Sequence, residues 1–367
     1  MDEIIKILPN FKKFNSYIND VKSGVSPIML SGLTDSGKVH FAYSTYFYSE
    51  KPVCIITYNE VQAKKLVSDL SYFQTQIDYF PRREILAYDY LAESGDIKNK
   101  RISCLNRIHN KKAKIVVTTI EAVMQKIISE NSLYKNIIKL NTGETLGLEE
   151  AKEQLISLGY ERVEIVEASS QFSIRGGIID IAISSTKGVR IELWGDEIDS
   201  IRYFDVLSQR STETLEKIEI YPATEFVLED TLENTLSKIT DAGMEIDSSF
   251  EDIESIKEGN YLSKVDKYFS SFYENPSTII DYIKDDYIIF IDEEAKVKAR
   301  SENILKDNQN VITSLIEKKR IVPQALTNLD DFVKFSREYQ KYSNYIFRKT
   351  RYRVWKCPKY ACEKKRI

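Results

Sequence analysis

The stretch GLTDSGKV at residues 32–39 decides the fold class of the first part of the chain. It separates the apolar run 27–30 from a helix predicted over residues 38–50. It follows the P-loop pattern G-x-x-x-x-G-K-[S/T], in which backbone N–H groups surround phosphate and the lysine neutralises it, except at the last position. Val39 has no hydroxyl to bind Mg²⁺. The stretch therefore predicts a degenerate nucleotide site, with weak ATP binding at most and no efficient hydrolysis.

A second fragment supports the same ancestry. The apolar run 288–291 ends in an Asp-Glu pair, as a Walker B strand does when its acids hold Mg²⁺ and orient water. Taken alone, such a run is more often only the end of a strand. The candidate residues of the degenerate site are Gly32, Gly37, Lys38, Asp292 and Glu293. We expect no catalytic residue, no metal site and no bound cofactor in this chain.

Strand and helix patterns alternate between residues 28 and 130. Apolar runs at 53–57, 76–80 and 114–118 are separated by amphipathic segments, which predicts a mostly parallel sheet with helices on its faces. The run 287–292 is predicted to return to this sheet or its neighbour. With the P-loop pattern, the fold class is α/β, with a degenerate P-loop NTPase-like (RecA-like) domain.

The pattern changes near residue 141. One helix over 148–158 is followed by short, closely spaced strands, which predict an inserted α+β domain with an antiparallel sheet. These strands are predicted at 163–168, 171–174, 177–183, 189–194 and 197–204. Acidic helices at 229–242 and 251–257 predict a mostly helical third domain. The predicted domains are residues 1–140, 141–224 and 225–345, followed by an irregular basic tail at 346–367.

Composition limits the classes of function. Apolar residues make up 42% and charged residues 29%, at a net charge of −4, and no run is long and apolar enough for a bilayer. Nine Lys or Arg lie in the last twenty residues, so the rest of the chain is acidic and unlike a general DNA-binding surface. Four scattered cysteines predict no disulfide framework. We expect a cytoplasmic protein without membrane contact.

The strand Val189–Trp194 alternates strictly. Val189, Ile191 and Leu193 belong on a core side, whereas Arg190 and Trp194 share the outward side. Arg and Trp are frequent anchors of protein interfaces, and Arg175 could join them from the neighbouring strand.

A structural interpretation of the same residues stays open. Trp194 could be a partly buried edge residue, and the two arginines could pair with Glu192 or Asp180.

Several segments then become familiar. QFSIRGGIIDI at 171–181 resembles a segment shared by UvrB and the transcription-repair coupling factor. The strands at 189–205, SQRS at 208–211 and PATEF at 222–226 are similar to the following signatures of that family. The likeness covers roughly residues 25–340 and is densest over 141–226.

The resemblance implies a function. The coupling factor recruits excision-repair proteins to stalled RNA polymerase, and its front part resembles UvrB and binds UvrA. Matched residue by residue, the UvrA-contacting positions fall on Arg175, Arg190 and Trp194. The implied function is that of a non-catalytic module in transcription-coupled nucleotide-excision repair. UvrA would be the partner, with RNA polymerase and double-stranded DNA as further partners of the full-length family.

Three departures favour the coupling factor over UvrB. Val39 replaces the P-loop threonine of UvrB, and Ala295 stands where UvrB has histidine. The segment 80–108 is too short for the DNA-clamping hairpin of UvrB. The alternative functions are an ATP-dependent UvrB-like DNA repair helicase relative with residual nucleotide and DNA binding, and, more weakly, an unrelated P-loop kinase.

The end of the chain matches nothing expected of the family. We expect the chain to be truncated before the RNA-polymerase-binding and translocase domains. A frameshift or truncated gene explains residues 352–367 best, and a basic tail that binds nucleic acid is the alternative. The spacing of Cys357 and Cys362 fits no metal site.

Overall fold

The run Val53–Thr57 lies within a six-stranded parallel sheet and is buried along its whole length. The computed structural model describes residues 6–73, 76–83, 95–135, 137–227, 231–241, 254, 272–283, 286–317 and 344–348. The first sheet contains β1 (Ile28–Ser31), β2 (Val53–Thr57), β3 (Ile77–Phe80), β4 (Ile115–Thr119), β13 (Ile288–Asp292) and β14 (Asn344–Arg348). Strands β2, β4 and β13 are rich in Ile and Val and buried on both faces, as covered parallel strands require.

The order of this sheet is β1-β14-β13-β2-β4-β3, and all five neighbouring pairs of strands are parallel. Strand β13 pairs with β2, which confirms the predicted return of 287–292 to the first sheet. The chain continues beyond β13 to add β14 between β1 and β13. The carboxyl ends of β1 and β13 are therefore close to each other, which brings the two nucleotide-site fragments together.

The helices begin at capping residues. Thr34, Asn59, Thr119 and Ser129 each accept a hydrogen bond from the first turn of the helix that follows, which satisfies an otherwise unpaired N–H. The helices are α1 (Lys12–Lys22), α2 (Asp35–Ser49), α3 (Glu60–Ser71), α4 (Gly95–His109), α5 (Ile120–Met124), α6 (Glu130–Leu133), α7 (Leu148–Ser157), α8 (Leu232–Asp241), α9 (Ile279–Ile283) and α10 (Glu294–Glu317). Helix α2 begins three residues earlier than predicted, inside the P-loop pattern.

The second sheet is antiparallel except for one edge pair, β6 and β7, which is parallel. Its order is β11-β10-β9-β8-β7-β6. The strands are β6 (Glu161–Arg162), β7 (Gln171–Arg175), β8 (Ile178–Ala182), β9 (Lys187–Trp194), β10 (Glu197–Asp205) and β11 (Ser211–Leu215). A separate pair joins β5 (Ile138–Asn141) to β12 (Lys217–Ile220). The predicted strand 163–168 is wrong, since only Glu161–Arg162 is extended there and the chain then turns.

The core of the second sheet lies on one face, against α7. Phe172, Ile179, Ile181, Val189 and Ile191 point to this side and are almost completely buried. Helix α7 contributes Ala151 and Leu155 to the same cluster. One face of the sheet is therefore committed to this core, whereas the other carries polar residues and a smaller buried cluster that includes Ala182 and Phe204.

The PATEF signature has a structural role. Its Glu225 accepts two hydrogen bonds from the completely buried Arg101 of α4, at 2.7 Å from Nε and 2.9 Å from Nη2. Breaking a buried ion pair by removing one partner leaves an uncompensated charge, so replacing either Arg101 or Glu225 alone should destabilise the fold.

The chain divides into two compact units. One contains residues 1–87, 107–126 and 277–367, and the other contains 88–106 and 127–276. The parallel sheet belongs to the first unit and the antiparallel sheet to the second, which confirms the predicted α/β class with an inserted antiparallel-sheet domain. Among the described residues, no helix combines the length and apolar character needed to cross a bilayer. The predicted helix at 251–257 and the segment 352–367 lie outside the described residues, apart from Glu254.

Candidate functional site

Strand β9 alternates as its sequence predicts. Val189 and Ile191 are fully buried on the core side, whereas Arg190 and Glu192 are partly exposed on the other. Arg190 is directly opposite Asp180 of β8, and residues directly opposite each other in an antiparallel pair share a face. We call the outward set Arg175, Asp180, Arg190, Glu192 and Trp194 the arginine–tryptophan face.

Asp180 is the centre of this face. Its side chain is only 1% exposed and accepts hydrogen bonds from both arginines. Arg190 binds it in a bidentate manner, with Nε 2.7 Å from Oδ1 and Nη2 2.9 Å from Oδ2. Arg175 adds one bond, from Nη2 to Oδ2 at 2.9 Å. The structural interpretation that the arginines pair with Asp180 therefore describes their contacts correctly.

The two arginines differ in exposure. The side chain of Arg190 is 18% exposed and that of Arg175 is 48% exposed. The hydrogen bonds to Asp180 raise the pKa of Arg190 above its usual value, so it stays charged at any ordinary pH. Two cations around one carboxylate leave this part of the face with excess positive charge.

In the part of the chain that the structure describes, Glu192 makes no hydrogen bond or ion pair with Arg175 or Arg190. It accepts instead from Arg202 Nη2 at 2.8 Å and from Ser200 Oγ at 3.0 Å. The sequence alone left Glu192 and Asp180 as equal candidates for the arginines. The register of three strands decides between them, because it places Asp180 opposite Arg190.

Trp194 is 84% exposed at the carboxyl end of β9. It pairs across the tight turn with Glu197, and Gly195 adopts the left-handed conformation, with φ of 62°, that the turn requires. The interpretation of Trp194 as a partly buried edge residue is therefore wrong. An indole that is 84% exposed, on the same face of the sheet as two arginines, has the composition of an interface anchor.

Two residues that the sequence did not predict as part of the site, Phe204 and Gln209, contact the guanidinium of Arg190. Its guanidinium carbon lies 5.0 Å from the ring centroid of Phe204, and its Nη1 donates to the carbonyl of Gln209 at 3.4 Å. Gln209 belongs to the SQRS signature, which the sequence identifies only as similar to the family and to which it gives no contact. No spacing rule in one sequence connects residue 209 to residue 190, since the contact arises from the fold of two strands.

Two N–H groups of the P-loop-like stretch already have partners within the chain. Helix α2 starts at Asp35, and the N–H groups of Gly37 and Lys38 donate to the side chain and carbonyl of Thr34 at 3.2 and 2.8 Å. A phosphate cradle needs such N–H groups pointing at the ligand. Val39 is buried in the apolar core, so the position of the missing hydroxyl does not face a metal site.

Lys38 is held by the two acids that the sequence singled out. Its Nζ lies 2.6 Å from Asp292 Oδ1 and 2.6 Å from Glu293 Oε1, and its side chain is 2% exposed. Asp292 Oδ2 also accepts from Thr57 Oγ1 at 3.0 Å and Gln62 Nε2 at 3.3 Å. We call Lys38, Asp292 and Glu293 the lysine–carboxylate triad.

Two opposing effects act on the pKa of Lys38. Burial alone would lower it, but the hydrogen bonds and charges of Asp292 and Glu293 outweigh this and raise the pKa above its usual value. The lysine is thus charged and paired with two acids inside the protein. As folded, Lys38 and both acids are engaged with one another, so a nucleotide phosphate and Mg²⁺ would have to displace these contacts.

The described part of the chain contains no cluster of side chains suited to binding a metal ion. No group of three His, Cys, Asp or Glu residues is arranged there to hold an ion. Cys357 and Cys362 lie outside the described residues.

Comparison with known proteins supports the assignment of the second sheet. Residues 138–226 match the UvrB interaction domain family. The match includes Arg175, Asp180, Arg190 and Trp194 and ends at Phe226.

Longer relatives extend the similarity over most of the chain. It is 30% identical over 340 residues to the transcription-repair-coupling factor of Bacillus subtilis (strain 168), covering 88% of this chain and 29% of that protein. It is also 29% identical over 347 residues to the transcription-repair-coupling factor of Staphylococcus aureus (strain bovine RF122 / ET3-1), covering 89% and 30%. The resemblance predicted from the signatures is confirmed. The chain spans about 30% of the length of these curated relatives.

Proposed function

We propose that this chain takes part in transcription-coupled nucleotide-excision repair, as a module that binds UvrA through residues 138–226 and performs no catalysis itself. The observation that carries the proposal is the arginine–tryptophan face. It presents an 84% exposed indole and two cations on one face of the sheet, opposite the face that packs against α7. The match of this region to the UvrB interaction domain supports the same conclusion.

The chemistry of the face indicates what it would bind. Arg175 keeps about half of its side chain in solvent, so it can donate to a carboxylate of the partner while remaining close to Asp180. Trp194 would insert into an apolar pocket and Arg190 would lie beside it, partly desolvated. RNA polymerase and double-stranded DNA are further partners that we propose only for longer proteins of this kind.

The lysine–carboxylate triad supports the non-catalytic part of the proposal. Nucleotide binding at Lys38 would have to break two ion pairs of 2.6 Å. It would also have to release the N–H groups that begin helix α2. We therefore propose that the first unit acts as a scaffold and not as a motor.

Binding to purified UvrA tests the proposal. Immobilised UvrA should retain the 367-residue chain, and Arg190→Ala should weaken retention at least tenfold, since buried charged anchors are often worth more than about 1.4 kcal/mol. UvrB should compete with the chain for UvrA. Equal retention of the wild type and Arg190→Ala, or no retention of either, would contradict the proposal.

A phosphate-release assay with ATP and DNA tests the helicase alternative. We expect no turnover above the buffer control. Turnover that Lys38→Ala abolishes would support an ATP-dependent UvrB-like relative instead.

A further inference from the structure

Both arginines of the arginine–tryptophan face converge on one buried carboxylate. Asp180 accepts three hydrogen bonds from them, and its Oδ2 is shared between Arg175 Nη2 and Arg190 Nη2, each at 2.9 Å. Asp180 itself is 1% exposed, so a partner cannot contact it directly. Its effect on any partner must therefore pass through the two guanidinium groups.

An arginine side chain that is mobile in the free protein must be ordered when it binds. This ordering costs free energy, because arginine has many rotamers, and holding the group in its bound position beforehand removes that cost. The planar guanidinium suits this role, since a carboxylate fixes both its position and its plane.

We propose that Asp180 is a positioning residue for UvrA binding, which orients Arg175 and Arg190 before the partner arrives. This inference rests on the proposed function. Asp180 carries a charge of the wrong sign for a contact with an acidic partner and lies beneath the surface, so its contribution is orientation and not attraction.

Gln209 completes the same arrangement from a second direction. Its side-chain amide donates to the carbonyls of Val166 at 2.9 Å and Val206 at 2.7 Å. These bonds fix the loop in a left-handed turn, with φ of 59° at Gln209, and so hold the Gln209 carbonyl near Arg190 Nη1. The Phe204 ring lies against the guanidinium, with its centroid 5.0 Å from the guanidinium carbon.

Charge and orientation predict opposite results for Asp180→Asn. The substitution keeps the size of the side chain and removes one negative charge from the face. If Asp180 mattered only through its charge, an acidic partner would bind the variant faster and more tightly. If Asp180 orients the arginines, the variant dissociates faster, because the amide offers one acceptor oxygen where the carboxylate offers two.

The matched control is Glu149→Gln. Glu149 lies on α7 of the same domain and forms an exposed ion pair with Lys152, with 2.7 Å between Oε2 and Nζ. Its substitution by glutamine changes the net charge by the same amount as Asp180→Asn. Glu149 is not part of the arginine–tryptophan face.

The experiment measures association and dissociation rates of the 367-residue chain on immobilised UvrA by surface plasmon resonance. Asp180→Asn should raise the dissociation rate about tenfold, with an association rate at or slightly above wild type, as loss of hydrogen bonds to charged groups predicts. Glu149→Gln should leave the dissociation rate unchanged. Circular dichroism establishes that each variant is folded.

If Asp180→Asn does not fold, Gln209→Ala decides the question, because it removes the two side-chain hydrogen bonds that fix the loop and leaves Asp180 and both arginines in place. It should raise the dissociation rate a few-fold in a chain that circular dichroism shows to be folded. An unchanged dissociation rate in folded Asp180→Asn, or in Gln209→Ala when Asp180→Asn does not fold, overturns the inference. No binding by the wild type overturns the proposed function itself.

Discussion

The lysine–carboxylate triad and the arginine–tryptophan face are both built around a buried aspartate. They differ in how far the charged ends of their cations are exposed to solvent. The side chains of Asp292 and Asp180 are each 1% exposed. The cation on Asp292 is the 2% exposed Lys38, whereas the cations on Asp180 include Arg175, which is 48% exposed. One cluster is closed within the protein and the other extends into solvent.

This difference is what the proposed function uses. Lys38 already donates to two carboxylates inside a core, and a ligand there would first have to displace those ion pairs. A guanidinium has five N–H donors, so it can satisfy a buried aspartate and still offer donors to a partner. In the function that we propose, the same elements, a buried acid and a cation, stabilise the fold in one unit and would support recognition in the other.

The largest expected effect comes from opening the closed cluster. Lys38→Met should lower the free energy of unfolding by about 3–5 kcal/mol, because Asp292 and Glu293 lose their shared cation while buried. Urea unfolding followed by circular dichroism measures this. Lys65→Met, which removes a half-exposed pair with Asp35, should unfold near the wild-type midpoint. Wild-type stability in Lys38→Met would show that the triad is not structural.

Truncating the open cluster should affect binding and not folding. Trp194→Ala should weaken UvrA binding by about 2–4 kcal/mol, since large exposed aromatics act as interface anchors. Its stability should change by less than about 0.5 kcal/mol. Calorimetric titration and thermal melts measure the two quantities.

Leu207 provides the matched control for Trp194. It is 80% exposed in the loop at the opposite end of the β9–β10 pair, and Leu207→Ala should bind UvrA like the wild type. A loss of affinity as large as that of Trp194→Ala would place the contact on another part of the domain.

A smaller effect is expected from restoring the P-loop consensus. Val39→Thr supplies the missing hydroxyl, but residue 39 is 3% exposed in the apolar core. We expect a loss of about 1–2 kcal/mol from burying the hydroxyl, and no gain of ATP turnover. Phosphate release and urea unfolding of the same preparation measure both. Turnover by Val39→Thr would show that only the hydroxyl was lacking.

The smallest effect concerns pH. The pKa of Lys38 is raised in the folded chain above its ordinary value of 10.5. A raised pKa stabilises the fold fully below the unfolded value, and this contribution is lost as pH rises through the folded value. The stability difference between the wild type and Lys38→Met should therefore stay constant from pH 7 to about 9.5 and decrease only above 10.5. A decrease already at pH 8 would contradict the assigned pairing.

Much of the architecture was accessible from the sequence. Apolar runs such as 53–57 and 288–291 predicted buried parallel strands because only a covered sheet accommodates them. The alternation in Val189–Trp194 predicted which side chains face outward, because successive side chains of a strand point to opposite faces. The strand predicted over 163–168 is wrong, because turns that lead into β7 override the local β propensity of this segment.

The sequence by itself predicted that one sheet is mostly parallel and the other antiparallel, and it determined the failed P-loop consensus and the outward side of β9, since these follow from periodicity and from residue chemistry at fixed spacing. Only the tertiary structure decided that Lys38 is neutralised by acids more than 250 residues away, and that Arg175 and Arg190 share Asp180 and not Glu192. Such pairings depend on strand order and register. Both are fixed by packing over the whole sheet, and no local pattern in one chain records them.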